Sequence, residues 1–209
     1  RALGTRKVGH AGTLDPMATG LLIVLVGRNP TRQHVRFMGL PKTYTATVRL
    51  GQTTTTYDAE GDIETEADAA GVSDGAIEAA LADFRGDILQ RPPIFSAIKK
   101  DGERLYKKAR RGEEVEIEAR PTSVYAFDVL DRRGDDVDVR VECSKGTYVR
   151  SLAHDLGQAL GVGGHLVALR REAIGPFQAS EAFEFLFNRD LMETLDPDLR
   201  AILEHGVEA

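Results

Sequence analysis

The residue best placed to do chemistry is Asp15, in the string V-G-H-A-G-T-L-D-P-M-A-T-G-L-L at residues 8–22. Gly9, Gly12 and Gly20 let the backbone take torsions closed to other residues and let a ligand come close. Pro16 biases Asp15 away from helix towards an extended or turn conformation. The carboxylate therefore stands on a tight, glycine-lined loop. Directly after it comes the apolar run at residues 21–26, which reads as a short buried strand. Composition alone favours an Asx-type turn at Asp15. Cys143, beside Ser144 and Lys145, has no histidine placed by the sequence to activate it, and it reads as a buried strand residue. The five histidines are scattered and there is no second cysteine, so no structural metal site is expected, and with no nucleotide-cofactor motif in the chain no cofactor is expected.

The string G-H-A-G-T-L-D-P-M-A-T-G-L-L resembles the active-site motif of the bacterial tRNA pseudouridine synthase B (TruB) family. Four further segments agree in the family's order: K-T-Y-T-A-T-V-R-L-G-Q at residues 42–52, P-P-I-F-S-A-I-K at 92–99, C-S-K-G-T-Y-V-R at 143–150 and G-G-H-L-V-A-L-R-R at 163–171. The resemblance implies that Asp15 is the family's essential aspartate and that Arg150 pairs with it. A neighbouring cation favours the charged form of a carboxylate and fixes its orientation. It also implies that Tyr44 stacks on the target base, its phenol close enough to the sugar for proton transfer. Tyr148 and Leu169 match residues lining the pocket, and His10 matches one that holds the flipped RNA loop. Leu169 reads equally as plain core.

The resemblance further implies that residues 99–111 form an insertion closing over RNA, with Lys99, Lys107, Lys108, Arg110 and Arg111 as its contacts. That segment holds seven Lys and Arg against Asp101 and Glu103, although the whole chain carries a net charge of −6. Phosphate recognition needs a local positive surface, not a positive total. Residues 60–87 and the tail after Asp190 are acid-rich, so the charge is polarised.

The elements that must position these groups follow from periodicity. Residues 42–50 alternate Tyr44, Ala46, Val48 and Leu50 against Thr43, Thr45, Thr47 and Arg49, the period of a half-buried strand. Residues 31–38 read as a short helix opened by Pro30, and 52–61 as a polar turn in which Thr55 stands where the family often has an aspartate. Ser73 caps a helix that buries Ile77, Ala80, Leu81 and Phe84 and stops at Gly86. Strands are expected at 94–98, 115–118, 123–130 and 137–143, the last two joined by a hairpin turn at 133–136. Residues 147–160 form an amphipathic helix ended by Gly161, 165–174 a strand, and 180–209 an acidic helical tail.

These elements make an α+β protein, a mostly antiparallel mixed sheet with flanking helices, which agrees with the pseudouridine synthase fold that the resemblance implies. The expected division is a catalytic domain at 1–177, without the family's N-terminal segment, and a tail at 178–209 in which no PUA-type domain is recognisable. The function implied is isomerisation of the tRNA T-loop uridine at position 55 by base flipping, in a monomer whose partner is the tRNA T-arm. A tRNA-folding chaperone acting by binding alone, or a synthase for another RNA, are the alternatives. No apolar run approaches the length of a membrane span, no signal-peptide pattern opens the chain, and a lone cysteine suits a reducing compartment, so a cytoplasmic setting is expected.

Overall fold

The computed structural model describes residues 6–96, 99–100, 103–104, 111, 115 and 117–182. In chain order its elements are β1 (Val8–His10), β2 (Thr19–Gly20), β3 (Val24–Val26), α1 (Arg28–Arg32), α2 (His34–Met38), β4 (Lys42–Leu50), β5 (Gln52–Thr54) and β6 (Ile63–Glu66). Then come α3 (Asp74–Asp83), β7 (Gly86–Gln90), β8 (Lys99–Lys100), β9 (Glu103–Arg104), β10 (Arg120–Arg133), β11 (Asp136–Cys143), α4 (Val149–Ala159), β12 (Gly164–Ile174) and β13 (Phe177–Gln178). A 3₁₀ turn at Ala179–Glu181 closes the described chain.

The alternation in residues 42–50 makes β4 the centre of a sheet ordered β13-β12-β4-β11-β10-β7, with β2 pairing β12 in parallel. Every other pairing along that path is antiparallel. One face carries Ala46, Val48 and Leu50 with Val137, Val139 and Val141, and α3 and α4 cover it with Ile77, Leu81, Leu152 and Leu156. The other face keeps Thr43, Thr45, Thr47 and Arg140 within reach of water. The result is two layers around one core, an α+β architecture as expected.

Helix α4 lies unusually close to the sheet. A Cβ on Gly157 would come within 2.1 Å of the Gly164 nitrogen, so only glycine admits this crossing. Ser73 caps α3 as expected, its hydroxyl accepting from the Ala76 N–H at 3.2 Å. Gly134, at φ 64°, makes the turn between β10 and β11.

Four local expectations are corrected. Of residues 21–26 only Val24–Val26 is strand, because the Leu21 N–H is taken by the Arg171 carbonyl and the chain turns away, leaving Leu22 exposed. The helix at 31–38 is two short helices broken at Gln33 (φ −93°, ψ 7°), whose N–H bonds to the Pro30 carbonyl, and Pro30 lies within α1. Residues 94–96 are not strand, since the Phe95 carbonyl accepts from a side chain of α4. The described residues of the expected strand at 115–118 are not strand, and the one expected at 123–130 lengthens to the 14-residue β10, which pairs with β7 on one edge and β11 on the other. The expected segments 105–110 and 183–209 lie outside the described residues.

Candidate active site

Asp15 sits where its neighbours require it. Its carbonyl accepts from the Ala18 N–H at 2.9 Å, closing a turn with Pro16 at the second position, a favoured place for proline. Loop 11–21 is fastened at both ends, by Ala11 N–H to the Ile23 carbonyl and by Leu21 N–H to the Arg171 carbonyl at 2.8 Å. At Gly20, φ is 94° and a Cβ would meet the Arg171 carbonyl oxygen at 2.3 Å, so the loop passes β12 only because that position is glycine.

Arg150, in the first turn of α4, faces this loop. Its Nε and Nη2 donate to the two oxygens of Asp15 at 2.9 and 3.0 Å, a bidentate pair. Nη1 donates to the Thr56 carbonyl and Nη2 also to the Phe95 carbonyl, each at 3.0 Å. The second carboxylate of the site, Asp58, lies 3.4 Å from Nη1. The Arg150 side chain is 5% exposed and that of Asp58 4%, whereas Asp15 is 32% exposed. One buried guanidinium thus donates to one carboxylate and two backbone carbonyls and lies beside a second carboxylate, and only the Asp15 carboxylate opens to solvent.

Two tyrosines stand within electrostatic reach of Asp15. Burial pushes the Tyr44 phenol above its ordinary pKa, Cys143 and Asp15 push the same way, and the Arg171 guanidinium opposes. Burial likewise raises the Tyr148 phenol, which Arg150 partly offsets. Both phenols keep their protons at neutral pH. The backbone of Tyr148 is held on both sides by the buried Gln90 side chain, which accepts from its N–H at 2.8 Å and donates to its carbonyl at 3.0 Å. That grip fixes the start of α4 and hence the root of Arg150.

Sequence reasoning missed three of these supports. Asp58 reads as an ordinary residue of a polar turn, yet it is buried behind Arg150 and accepts from the Glu60 N–H and the Thr56 hydroxyl. Between Thr56 and Asp58, Tyr57 holds a left-handed backbone (φ 64°), uncommon for a bulky residue, and its ring stacks on His154 of α4 at 3.8 Å. Arg171, fully buried, donates to the carbonyls of Leu21 at 2.7 Å and Gly12 at 3.0 Å and stands opposite Tyr44 in the β4–β12 register. The available signal was period-2 alternation in β12, which puts Arg171 on the core face with Leu169 and Ala173.

The remaining expected residues are dispersed. Leu169 is buried in the core on the face that Arg171 shares. His10 is exposed on β1 and lines a separate groove. Of Lys99 only the backbone in β8 is described, Arg111 is an exposed turn residue, and Lys107, Lys108 and Arg110 lie outside the described residues. Cys143 is buried, its thiol pushed up to about 11 by burial, which leaves it no nucleophile at neutral pH. A cavity of about 460 Å³ between Met17, Thr47, Asp131 and Arg170 does not include Asp15, and its lining offers no comparable pairing of buried groups.

Comparison with known proteins decides what this geometry belongs to. Residues 1–149 match the family described as TruB family pseudouridylate synthase (N terminal domain), and residues 150–203 match the tRNA pseudouridylate synthase B C-terminal domain. The chain belongs to the TruB family. It is 55% identical over 186 residues to tRNA pseudouridine synthase B of Corynebacterium glutamicum (strain R), covering 87% of this chain and 62% of that protein. The same enzyme of Paenarthrobacter aurescens (strain TC1) is 50% identical over 207 residues, covering 96% of this chain and 66% of the relative. This TruB-family chain therefore spans less than two thirds of those relatives' length. Among solved structures, that of a Cbf5-Nop10-Gar1 complex is similar with a TM-score of 0.67 and 32% identity, over 99% of this chain and 50% of the other. An H/ACA RNP bound to a substrate RNA containing 2'-deoxyuridine gives 0.64 and 29%, over 95% and 50%. The pseudouridine synthase fold expected from the motifs is thus the fold observed. No helix among the described residues is long and apolar enough to cross a membrane.

Proposed function

We propose that this chain isomerises uridine to pseudouridine in tRNA, at the T-loop position conventionally numbered 55. The reaction breaks the bond from the sugar C1′ to N1 of uracil, leaving the electron pair on N1, joins C1′ to C5, releases the C5 proton and takes up a proton at N1. Asp15 is the essential carboxylate, Arg150 fixes its orientation, and Tyr44 is the stacking platform for the extruded base and the phenol that handles the leaving proton. The observation that carries the reading is the bidentate Arg150–Asp15 pair, with the guanidinium buried and the carboxylate open to solvent. Such a pair keeps the carboxylate aimed at an incoming ligand, which a protein that only folds RNA has no use for.

The test is to incubate the protein with unmodified tRNA transcript and map pseudouridine by chemical sequencing. Pseudouridine at the T-loop position is the expected product. Tight binding without any pseudouridine would support the RNA-folding alternative instead, and modification elsewhere would change the substrate.

A further inference from the structure

Tyr57 holds a backbone conformation that its residue type rarely takes. Its φ of 64° is the only positive value at a residue other than glycine among the described residues. A bulky side chain in that region is an outlier, and outliers persist where the surrounding structure enforces them. Here the enforcement comes from both neighbours. The Tyr57 N–H donates to the Thr54 carbonyl at 3.1 Å, and the Tyr57 carbonyl accepts from the Leu166 N–H of β12 at 3.0 Å. The Thr54 hydroxyl donates to the Asp58 carbonyl at 2.7 Å. Held this way, the turn presents two groups to Arg150 from either side of Tyr57. The Thr56 carbonyl accepts from Nη1 at 3.0 Å, and the Asp58 carboxylate lies 3.4 Å from the same nitrogen.

The tyrosine ring makes a separate contact with the same helix. It stacks on His154 with centroids 3.8 Å apart and planes inclined by 12°. His154 follows Arg150 by four residues in α4, so the two side chains are neighbours on one helix face. Helix α4 therefore meets turn 56–58 twice, through a guanidinium and through a pair of rings. Burial lowers the His154 imidazole and raises the Tyr57 phenol from their ordinary values, so both rings are neutral at neutral pH. The His154 Nδ1 is buried with no hydrogen-bond partner among the described residues. Leaving a polar atom unsatisfied is unfavourable, so the stack and not a hydrogen bond sets the place of this ring. A long arginine side chain can follow a displaced turn by changing rotamer. Two rings in van der Waals contact cannot slide apart without losing that contact.

We propose that the Tyr57–His154 stack is a clamp that fixes α4 against turn 56–58, making both residues positioning residues for the Arg150–Asp15 pair. Its effect on rate rests on the proposed isomerisation and deepens the reading of that site.

The experiment uses the full chain and unmodified tRNA transcript, and compares Tyr57→Gly, Tyr57→Phe and His154→Ala with the parent. Glycine takes a φ of 64° readily, so Tyr57→Gly removes the ring and keeps the turn, and alanine keeps the helix. The single-turnover rate at saturating enzyme should fall about tenfold or more in Tyr57→Gly and in His154→Ala, against the roughly 100-fold that a misplacement of about 1 Å can cost. Affinity for the tRNA stays within about threefold, as for an interaction felt in the transition state alone. Tyr57→Phe keeps the ring and brings the rate back to within about twofold of the parent's. Tyr57→Gly combined with His154→Ala loses no more than either alone, because each breaks the same stack. A parental rate in Tyr57→Gly, with or without a lower urea midpoint, makes the stack merely structural and overturns the proposal, as do losses that multiply in the double variant. The second readout needs no turnover. Hydrogen exchange at the Arg150 Nε–H is followed by NMR, its signal identified by loss in Arg150→Lys. Exchange should be at least about tenfold faster in Tyr57→Gly and near parental in Tyr57→Phe, and parental exchange in Tyr57→Gly overturns the proposal. A parent that forms no pseudouridine overturns the proposed reaction instead, and the exchange result then decides the clamp.

Discussion

At the scale of the residue, Arg150 carries the most consequence. Its planar fork satisfies both Asp15 oxygens and two carbonyls at once, which the compact ammonium of lysine does not reproduce. Arg150→Lys should therefore lower the single-turnover rate by at least about 100-fold, since disrupting a buried, hydrogen-bonded pair costs roughly 3–5 kcal/mol. A variant within a few-fold of the parent would reduce Arg150 to a structural residue. Tyr44→Phe separates stacking from proton handling. Stacking survives in phenylalanine, whereas a group acting in general acid–base catalysis is worth roughly 10²–10⁴-fold. RNA affinity should hold while the rate falls into that range, and a Phe variant as fast as the parent would leave Tyr44 as a platform only. The motif strings made Asp15, Arg150, Tyr44 and Tyr148 legible in the sequence, and the fold brings these four together. Asp58 was not legible, because a carboxylate in a Thr-rich turn looks like a solvated residue until the fold buries it, whereas Arg171 was legible only from the alternation of β12 with Leu169 and Ala173.

At the scale of the element, strands announced by strict alternation and helices announced by caps were read well, β4, α3 and α4 among them. Elements without such punctuation were not. Residues 94–96 have strand-like composition, but the start of α4 takes the Phe95 carbonyl and no partner strand forms there. Helix α4 also carries a group whose titration the sequence does not reveal. Burial raises the Asp155 carboxyl from 3.8 to about 6, with Arg91 opposing weakly. Between those two values the folded chain binds more protons than the unfolded one, so this residue subtracts stability as pH rises from about 4 through 6. Asp155→Asn, which does not titrate, should raise the urea midpoint relative to the parent at pH 7.5, with the difference disappearing near pH 4. An equal difference at both pH values would mean the carboxyl is not protonated by the fold.

At the scale of the whole molecule, exposed cations and buried ones stand apart. Arg28 and Arg32 on α1 and Arg36 on α2 are exposed, whereas the Arg150 guanidinium is buried against the Asp15 loop. Net charge concealed this division, since acids at residues 60–87 outweigh the basic first quarter in the total. The fold was largely legible because five motifs span it in order; the distribution of charge over its surface was not, because it depends on which cations the fold leaves without carboxylates. Because Asp15 pairs with the buried cation and not with the exposed ones, it can be silenced without loosening the RNA. The most direct measurement is tritium release from tRNA labelled at uracil C5, at saturating enzyme, for the parent and Asp15→Asn, with affinity measured alongside. The parent should release tritium, and Asp15→Asn should release none above background while its Kd stays within about threefold, a difference of under ~0.7 kcal/mol. Release by pure Asp15→Asn protein at a rate comparable to the parent's would contradict the account.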